Sequence, residues 1–176
     1  MKIETQQMTL ISLFIALCVI IPFVFHLAGL GAIFLPMFLP ILLACFVIRF
    51  PLPMLVGLLG PIVSSLLTGM PPLFPTAISM MAEGMMASGV ASFLFCSKKS
   101  SLWLALLLAI IAERMTRVLM IFLILPLFGL PAREWSIAEI TLTLPGVALQ
   151  LFLIPLVLFV LWRYHLIKRT TWWKIS

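Results

Sequence analysis

The segment Ala112-Glu113-Arg114-Met115-Thr116-Arg117 puts three charged side chains inside an apolar run. A charge at the centre of a membrane-spanning helix costs roughly 2.5–3.5 kcal/mol on insertion scales, so three of them require internal partners, water or a ligand. At about 100° per residue, Arg117 lies about 40° and Arg114 about 100° around the helix from Glu113, and the three share one broad face. The i,i+4 spacing of Glu113 and Arg117 predicts that these two pair, leaving Arg114 as a spare cation that invites an anion. In the preceding apolar run Thr76, Ser79, Glu83 and Ala87 fall within about 60° of one another, and the last run carries Gln150. Carboxylates, guanidinium groups and an amide in apolar surroundings suit a small solute with an anionic end and a donor-bearing end.

The chain that positions these groups has 176 residues, 64% hydrophobic and only 9% charged, with a mean hydropathy of +1.31. Soluble domains carry about 25% charged residues, so this composition belongs to an integral membrane protein. At roughly 20 residues per crossing the chain has room for six short-looped helices in one domain over residues 1–176. The apolar runs at 8–28, 32–48, 52–68, 76–96, 102–125 and 141–162 are continuous rather than alternating. They predict an all-α membrane protein of six transmembrane helices, not a barrel. Runs two and three are short, with Pro36, Pro40, Pro51 and Pro53 clustered near their ends.

Placing the N-terminus in the cytoplasm gathers Lys2, Arg49, Lys98, Lys99, Arg163, Lys168, Arg169 and Lys174 on the inner side and leaves Arg133 in an outer loop. The positive-inside rule therefore predicts that both the N-terminus and the C-terminus are cytoplasmic, and it accounts for the net charge of +6 without a nucleic-acid partner. No small-residue cleavage site follows the first residues, so no removable signal peptide is expected. In this topology Glu83, Arg117 and Gln150 lie about 10–13 Å below the outer ends of three consecutive helices, at a rise of 1.5 Å per residue. Their coincidence in depth predicts a polar cavity open to the outside. Glu83, Glu113, Arg114 and Arg117 could instead neutralise one another and hold the bundle together.

Three outer loops follow, at 29–35, 69–75 and 126–140. The second contains Gly69, Met70, Pro71 and Pro72, carries no charge, and is stiffened by three prolines, which suits either a lid over the pocket or a tight connector. The third brings Arg133, Glu134, Trp135 and Glu139. Arg163, Tyr164, His165, Lys168, Arg169, Trp172, Trp173 and Lys174 form a basic, aromatic tail suited to anchoring at anionic lipid. Cys18, Cys45 and Cys96 are expected to pack in the apolar spans, and His26 and His165 stand too far apart to share a metal. On the first run Ser12 and Ala16 form a small-xxx-small pair that lets another helix approach closely, inside the bundle or from a partner.

Six short helices, the segment Leu67-Thr68-Gly69-Met70-Pro71-Pro72-Leu73-Phe74-Pro75, Glu83, and the segment Leu144-Pro145-Gly146-Val147-Ala148-Leu149-Gln150-Leu151 together resemble the substrate-binding S-components of energy-coupling factor (ECF) vitamin transporters. The resemblance implies a multi-pass protein of a prokaryotic cytoplasmic membrane that captures a vitamin-like solute. It also implies delivery of that solute inward with a transmembrane coupling protein and two cytoplasmic ATPases. The polar residues at this depth, Glu83, Arg114, Arg117, Gln150 and Ser79, are then expected to contact the substrate with Glu113 in support, and the resemblance implies that Gly69, Met70, Pro71, Pro72 and Trp135 belong to gating loops. Ser12 and Ala16 fall where the family has an Ala-xxx-Ala pair facing the coupling protein. The chain itself would hold no cofactor, the ATP being used by the partner subunits; it has no G-x-x-x-x-G-K-[ST] phosphate loop.

Two other classes meet the same residues. Glu113 and Arg117 have the E-xxx-R spacing of CAAX-type membrane proteases, but Ala112 stands where that family has a second Glu, and no histidine lies at comparable depth to help activate water. A self-sufficient proton-coupled carrier would use Glu83 or Glu113 as its proton site, although the halves of the chain show no clear repeat.

Overall fold

The computed structural model describes residues 5–124, 129 and 143–164, and every regular element among them is helical. The helices are α1 (Thr5–Leu27), α2 (Gly31–Phe34), α3 (Phe38–Val47), α4 (Pro53–Thr68), α5 (Ile78–Ser92), α6 (Leu102–Leu119) and α7 (Leu144–Arg163). A wide turn at Leu73–Ala77 leads into α5, and π-helical turns at Phe93–Ser97 and Met120–Ile124 prolong α5 and α6. Three stretches, Thr5–Leu27, Leu73–Ser97 and Leu144–Arg163, are long and apolar enough to cross a bilayer, which makes this a membrane protein.

The second apolar run departs from the single helix expected of it. The one-turn α2 ends at Leu35, whose φ is 45°, and α3 starts beyond Pro36 and Met37. Pro36 has no N–H to continue a helix, and its ring disfavours helical backbone in the residue before it, so the chain breaks there. At 1.5 Å per residue the ten residues of α3 reach only about 15 Å, half of a hydrocarbon core of roughly 30 Å. Pro22, Pro61 and Pro155, in contrast, sit inside α1, α4 and α7 without ending them.

The helical runs alternate in direction. Gln7, Arg49 and Ser97 meet around a cavity at one end of the bundle, where the Arg49 backbone N–H donates to Gln7 Oε1 at 3.0 Å. His26, Gly31, Met37 and the loop Gly69 to Pro72 meet at the other end.

At the centre stands α5, packed on α3, α4 and α6. Half of its most apolar stretch is buried, against 22% for α1 and α7, so it is a core helix while they face outward. From Gly84 onward its inward residues are small: Gly84, Ala87, Ser88, Ala91 and Ser92. A Cβ added to Gly57 would stand 2.4 Å from the Gly84 carbonyl oxygen, and one on Gly84 would stand 2.7 Å from that of Gly57. Helices α4 and α5 therefore cross backbone to backbone, the close approach through which helices associate when lipid removes the hydrophobic drive between them. On the other side Ala105, Leu106 and Ala109 of α6, with Leu42, Ile154 and Leu158, fill the layer between α3, α5, α6 and α7. Cys18 and Cys45 are buried and Cys96 is half-buried, all as free thiols.

Along α1, Ile11, Phe14 and Cys18 face inward. Ser12 and Ala16 lie on the opposite, exposed face, and Ser12 Oγ donates to the Met8 carbonyl oxygen at 3.1 Å. Among the described residues no helix packs against this small pair.

The α4–α5 crossing sets Glu83, which immediately precedes Gly84, at its depth. Gly84→Ala is expected to cost about 1–3 kcal/mol, because the added methyl meets rigid backbone. Gly89→Ala, whose Cβ would rest 3.5 Å from the flexible Met54 side chain, is expected to leave stability unchanged or slightly raised. Thermal unfolding of the two purified variants in one detergent checks the contrast.

Candidate substrate-binding site

Arg117 on α6 donates from both Nη2 and Nε to a single oxygen, Glu83 Oε2 on α5, at 2.8 and 3.1 Å. Glu83 is fully buried and Arg117 is 5% exposed, so both ions are out of solvent. The pairing of Glu113 with Arg117 along α6 is not the one formed. A neighbouring helix presents a carboxylate to the guanidinium, and the two charge-assisted bonds there satisfy an acid that would otherwise be an uncompensated buried charge.

Glu113 instead has Arg114 beside it, with Nη2 3.7 Å from Oε1. Arg114 also reaches the turn before α7, where Nη1 donates to Thr143 Oγ1 at 3.0 Å. Arg114 is thus no spare cation, since it ties α6 to α7 while facing an acid. The four charges cancel formally, and they form one electrostatic group, the field of each reaching others in the set.

Gln150 is fully buried, on the same inward stripe of α7 as Ile154 and Leu158. Ser79 is buried too, but its hydroxyl donates to the Thr76 carbonyl oxygen at 2.9 Å, the local bond that a helical serine readily makes. It retains only acceptor capacity for a ligand. Among the described residues no three His, Cys, Asp or Glu side chains converge as metal ligands do.

Several buried polar atoms of this group have no hydrogen-bond partner among the described residues. They are Glu83 Oε1, both Glu113 oxygens, Arg114 Nε and Nη2, and both amide atoms of Gln150. Polar atoms removed from water are nearly always hydrogen-bonded, so this cluster of exceptions on α5, α6 and α7 is the candidate site among the described residues.

A cavity of about 350 Å³ lies at the same end of the bundle, with His26, Met37, Met70, Pro72, Thr76 and Met80 among its walls. Its size falls within the 300–1,000 Å³ usual for small-molecule sites, about at the lower limit. Thr76 and Met80 precede Glu83 by seven and three residues, but Ser79, Glu83, Glu113, Arg114, Arg117 and Gln150 do not line this cavity. Gly69, Met70, Pro71 and Pro72 all line it. The loop is tied to α4: Ser64 Oγ and Thr68 Oγ1 donate to the Met70 carbonyl oxygen at 2.9 and 3.0 Å, and Gly69 takes φ 72° to end that helix.

His26, which the sequence marks only as too far from His165 to share a metal, is the one histidine among the described residues and lines this cavity. A Cβ on Gly31 would come within 2.4 Å of the His26 imidazole, so this glycine leaves room for the ring beside the cavity. The available signal was the lone ring at the end of α1, just before Gly29 and Gly31. Trp135, with Arg133, Glu134 and Glu139, lies outside the described residues, as does the tail from His165 onward.

Arg117→Ala strands the Glu83 carboxylate in the core and is expected to lower stability by about 3–5 kcal/mol, whereas replacing both partners by Leu recovers most of that loss. Unfolding of the single and double variants in detergent measures the coupling, and equal losses in both would contradict a buried pair. Comparison with known proteins returns nothing similar: no family model, no curated protein and no solved structure matches this chain.

Proposed function

We propose that this chain is the substrate-capturing S-component of an energy-coupling factor transporter. It binds a vitamin or related micronutrient at the outer side of a prokaryotic cytoplasmic membrane and delivers it inward with a transmembrane coupling protein and two cytoplasmic ATPases. The observation that carries this reading is the pairing of a solute-sized cavity beneath the Gly69–Pro72 loop with a buried charged group whose polar atoms are only partly bonded. A purely structural ion cluster gains nothing from buried atoms left without partners.

In this reading six helical runs cross the membrane with both termini cytoplasmic. The short α3 and the break at Pro36 belong to the second crossing. Arg49, Lys98 and Arg163 fall on the inner side and the Gly69–Pro72 loop on the outer, as the positive-inside rule requires. The exposed Ser12–Ala16 face of α1 receives the coupling protein, since small residues admit a second helix closely. The chain is not an enzyme and holds no cofactor; its partners use the ATP.

A thermal-shift screen of the purified protein against water-soluble vitamins and their precursors tests the capture step, because a ligand at 100 times its Kd adds about 2.7 kcal/mol of stability. One strong stabiliser is expected. In vesicles holding the whole complex, uptake is expected to require ATP; uptake driven by a proton gradient through this chain alone would establish the carrier reading instead. Ala16→Leu is expected to keep ligand binding and abolish uptake. Gly31→Ala, which pushes the His26 ring towards the cavity, is expected to weaken binding at least tenfold in calorimetric titration.

A further inference from the structure

Among the polar atoms of the site that lack hydrogen-bond partners in the described residues, the acceptors are Glu83 Oε1, Glu113 Oε1 and Oε2, and Gln150 Oε1, and the donors are Arg114 Nε and Nη2 and Gln150 Nε2. Either orientation of the Gln150 amide offers one of each. Both carboxylates keep capacity to accept, while the donors divide between a guanidinium already facing Glu113 and a neutral amide. The formal charges of Glu83, Glu113, Arg114 and Arg117 sum to zero, so among the described residues the site holds no surplus cation.

We propose that the solute completing this site is an uncharged molecule whose polar edge sets N–H or O–H donors beside a carbonyl acceptor, as in a primary amide, a urea or a lactam, rather than a carboxylate. The inference rests on the capture reading above and names the chemical class of what is captured. An amide-like edge gives its N–H groups to the glutamate oxygens and takes a bond from Arg114 Nε or the Gln150 amide, leaving the charge balance untouched. A carboxylate has no proton to give those oxygens. It would compete with Glu113 for Arg114 and set a third negative charge beside two buried acids, where repulsion is weakly screened. An ammonium ion would satisfy the acids but leave Arg114 Nε and the Gln150 amide N–H without an acceptor. The neighbouring cavity, which none of these polar atoms lines, has largely apolar walls at Met37, Met70, Pro72 and Met80 that suit the uncharged body of such a molecule.

The test uses the full wild-type chain in detergent and calorimetric titration with matched pairs that differ in charge at one group: nicotinamide and nicotinate, lipoamide and lipoate, pantothenol and pantothenate. In any pair that binds, the neutral member is expected to bind at least tenfold more tightly. Glu113→Gln, which removes one negative charge while keeping an acceptor, is expected to narrow that preference by raising the affinity of the acid. An acid that binds as tightly as its neutral counterpart, or more tightly, overturns the inference and leaves the capture reading standing. Failure of every pair, together with silence across the full vitamin screen, overturns the capture reading and this inference with it.

Discussion

Burial of the Glu83–Arg117 pair is the constraint around which the bundle is arranged. Two ions removed from water are tolerable only if their geometry is good, since the desolvation cost of each is several kcal/mol. Good geometry here means that α5 and α6 run side by side at a set height, with two guanidinium donors converging on one carboxylate oxygen. The small residues on both sides of α5 make that possible. Gly57 and Gly84 bring α4 to backbone contact, and Ala105 and Ala109 keep the facing stretch of α6 close. A bulky residue at any of these places would move one helix relative to the other and lengthen the ion pair.

The second ion pair has a different character. Arg114 and Glu113 are neighbours along α6 with side chains about 100° apart around it, and Arg114 comes within 3.7 Å of Glu113 while its bond to Thr143 joins α6 to the start of α7. The two pairs together make the group electrically neutral, yet they leave polar atoms on Glu83, Glu113, Arg114 and Gln150 with bonding capacity to spare. A group that is neutral but incompletely bonded can hydrogen-bond a polar solute, yet has no net charge to offset the lost hydration of a charged one. That distinction separates the proposed capture of a neutral solute from simple anion binding, which a surplus arginine would have favoured.

Nearer the Gly69–Pro72 loop, prolines and glycines do the work that charges do deeper down. Pro36 divides what would have been one helix and leaves α2 near the end of α1, and Gly31 makes room there for the His26 ring. Gly69 ends α4 in the left-handed region, which only glycine adopts without steric cost, and two hydroxyls of α4 hold the following loop at the Met70 carbonyl. These local devices place the walls of the cavity at the N-terminal end of α5, where Thr76 and Met80 join them.

Much of this was legible in the sequence. The apolar composition, the all-helical class, the short proline-bounded runs and the choice of Glu83, Arg114, Arg117 and Gln150 as unusual residues all follow from a chain whose charges are few and stand inside apolar runs. The partition of those charges did not follow. Spacing along α6 favoured a Glu113–Arg117 pair, because helical periodicity sees only neighbours on one helix. The observed partner came from α5, and only the α5–α6 contact could supply it. The break at Pro36 was legible as a proline but not as a boundary, since helices elsewhere in the chain carry Pro22, Pro61 and Pro155 without stopping. Sequence alone determined which groups had to be compensated once inside the membrane; the packing of small residues across α4, α5 and α6 decided which group compensates which, because that choice depends on distances between helices that no single-helix pattern contains.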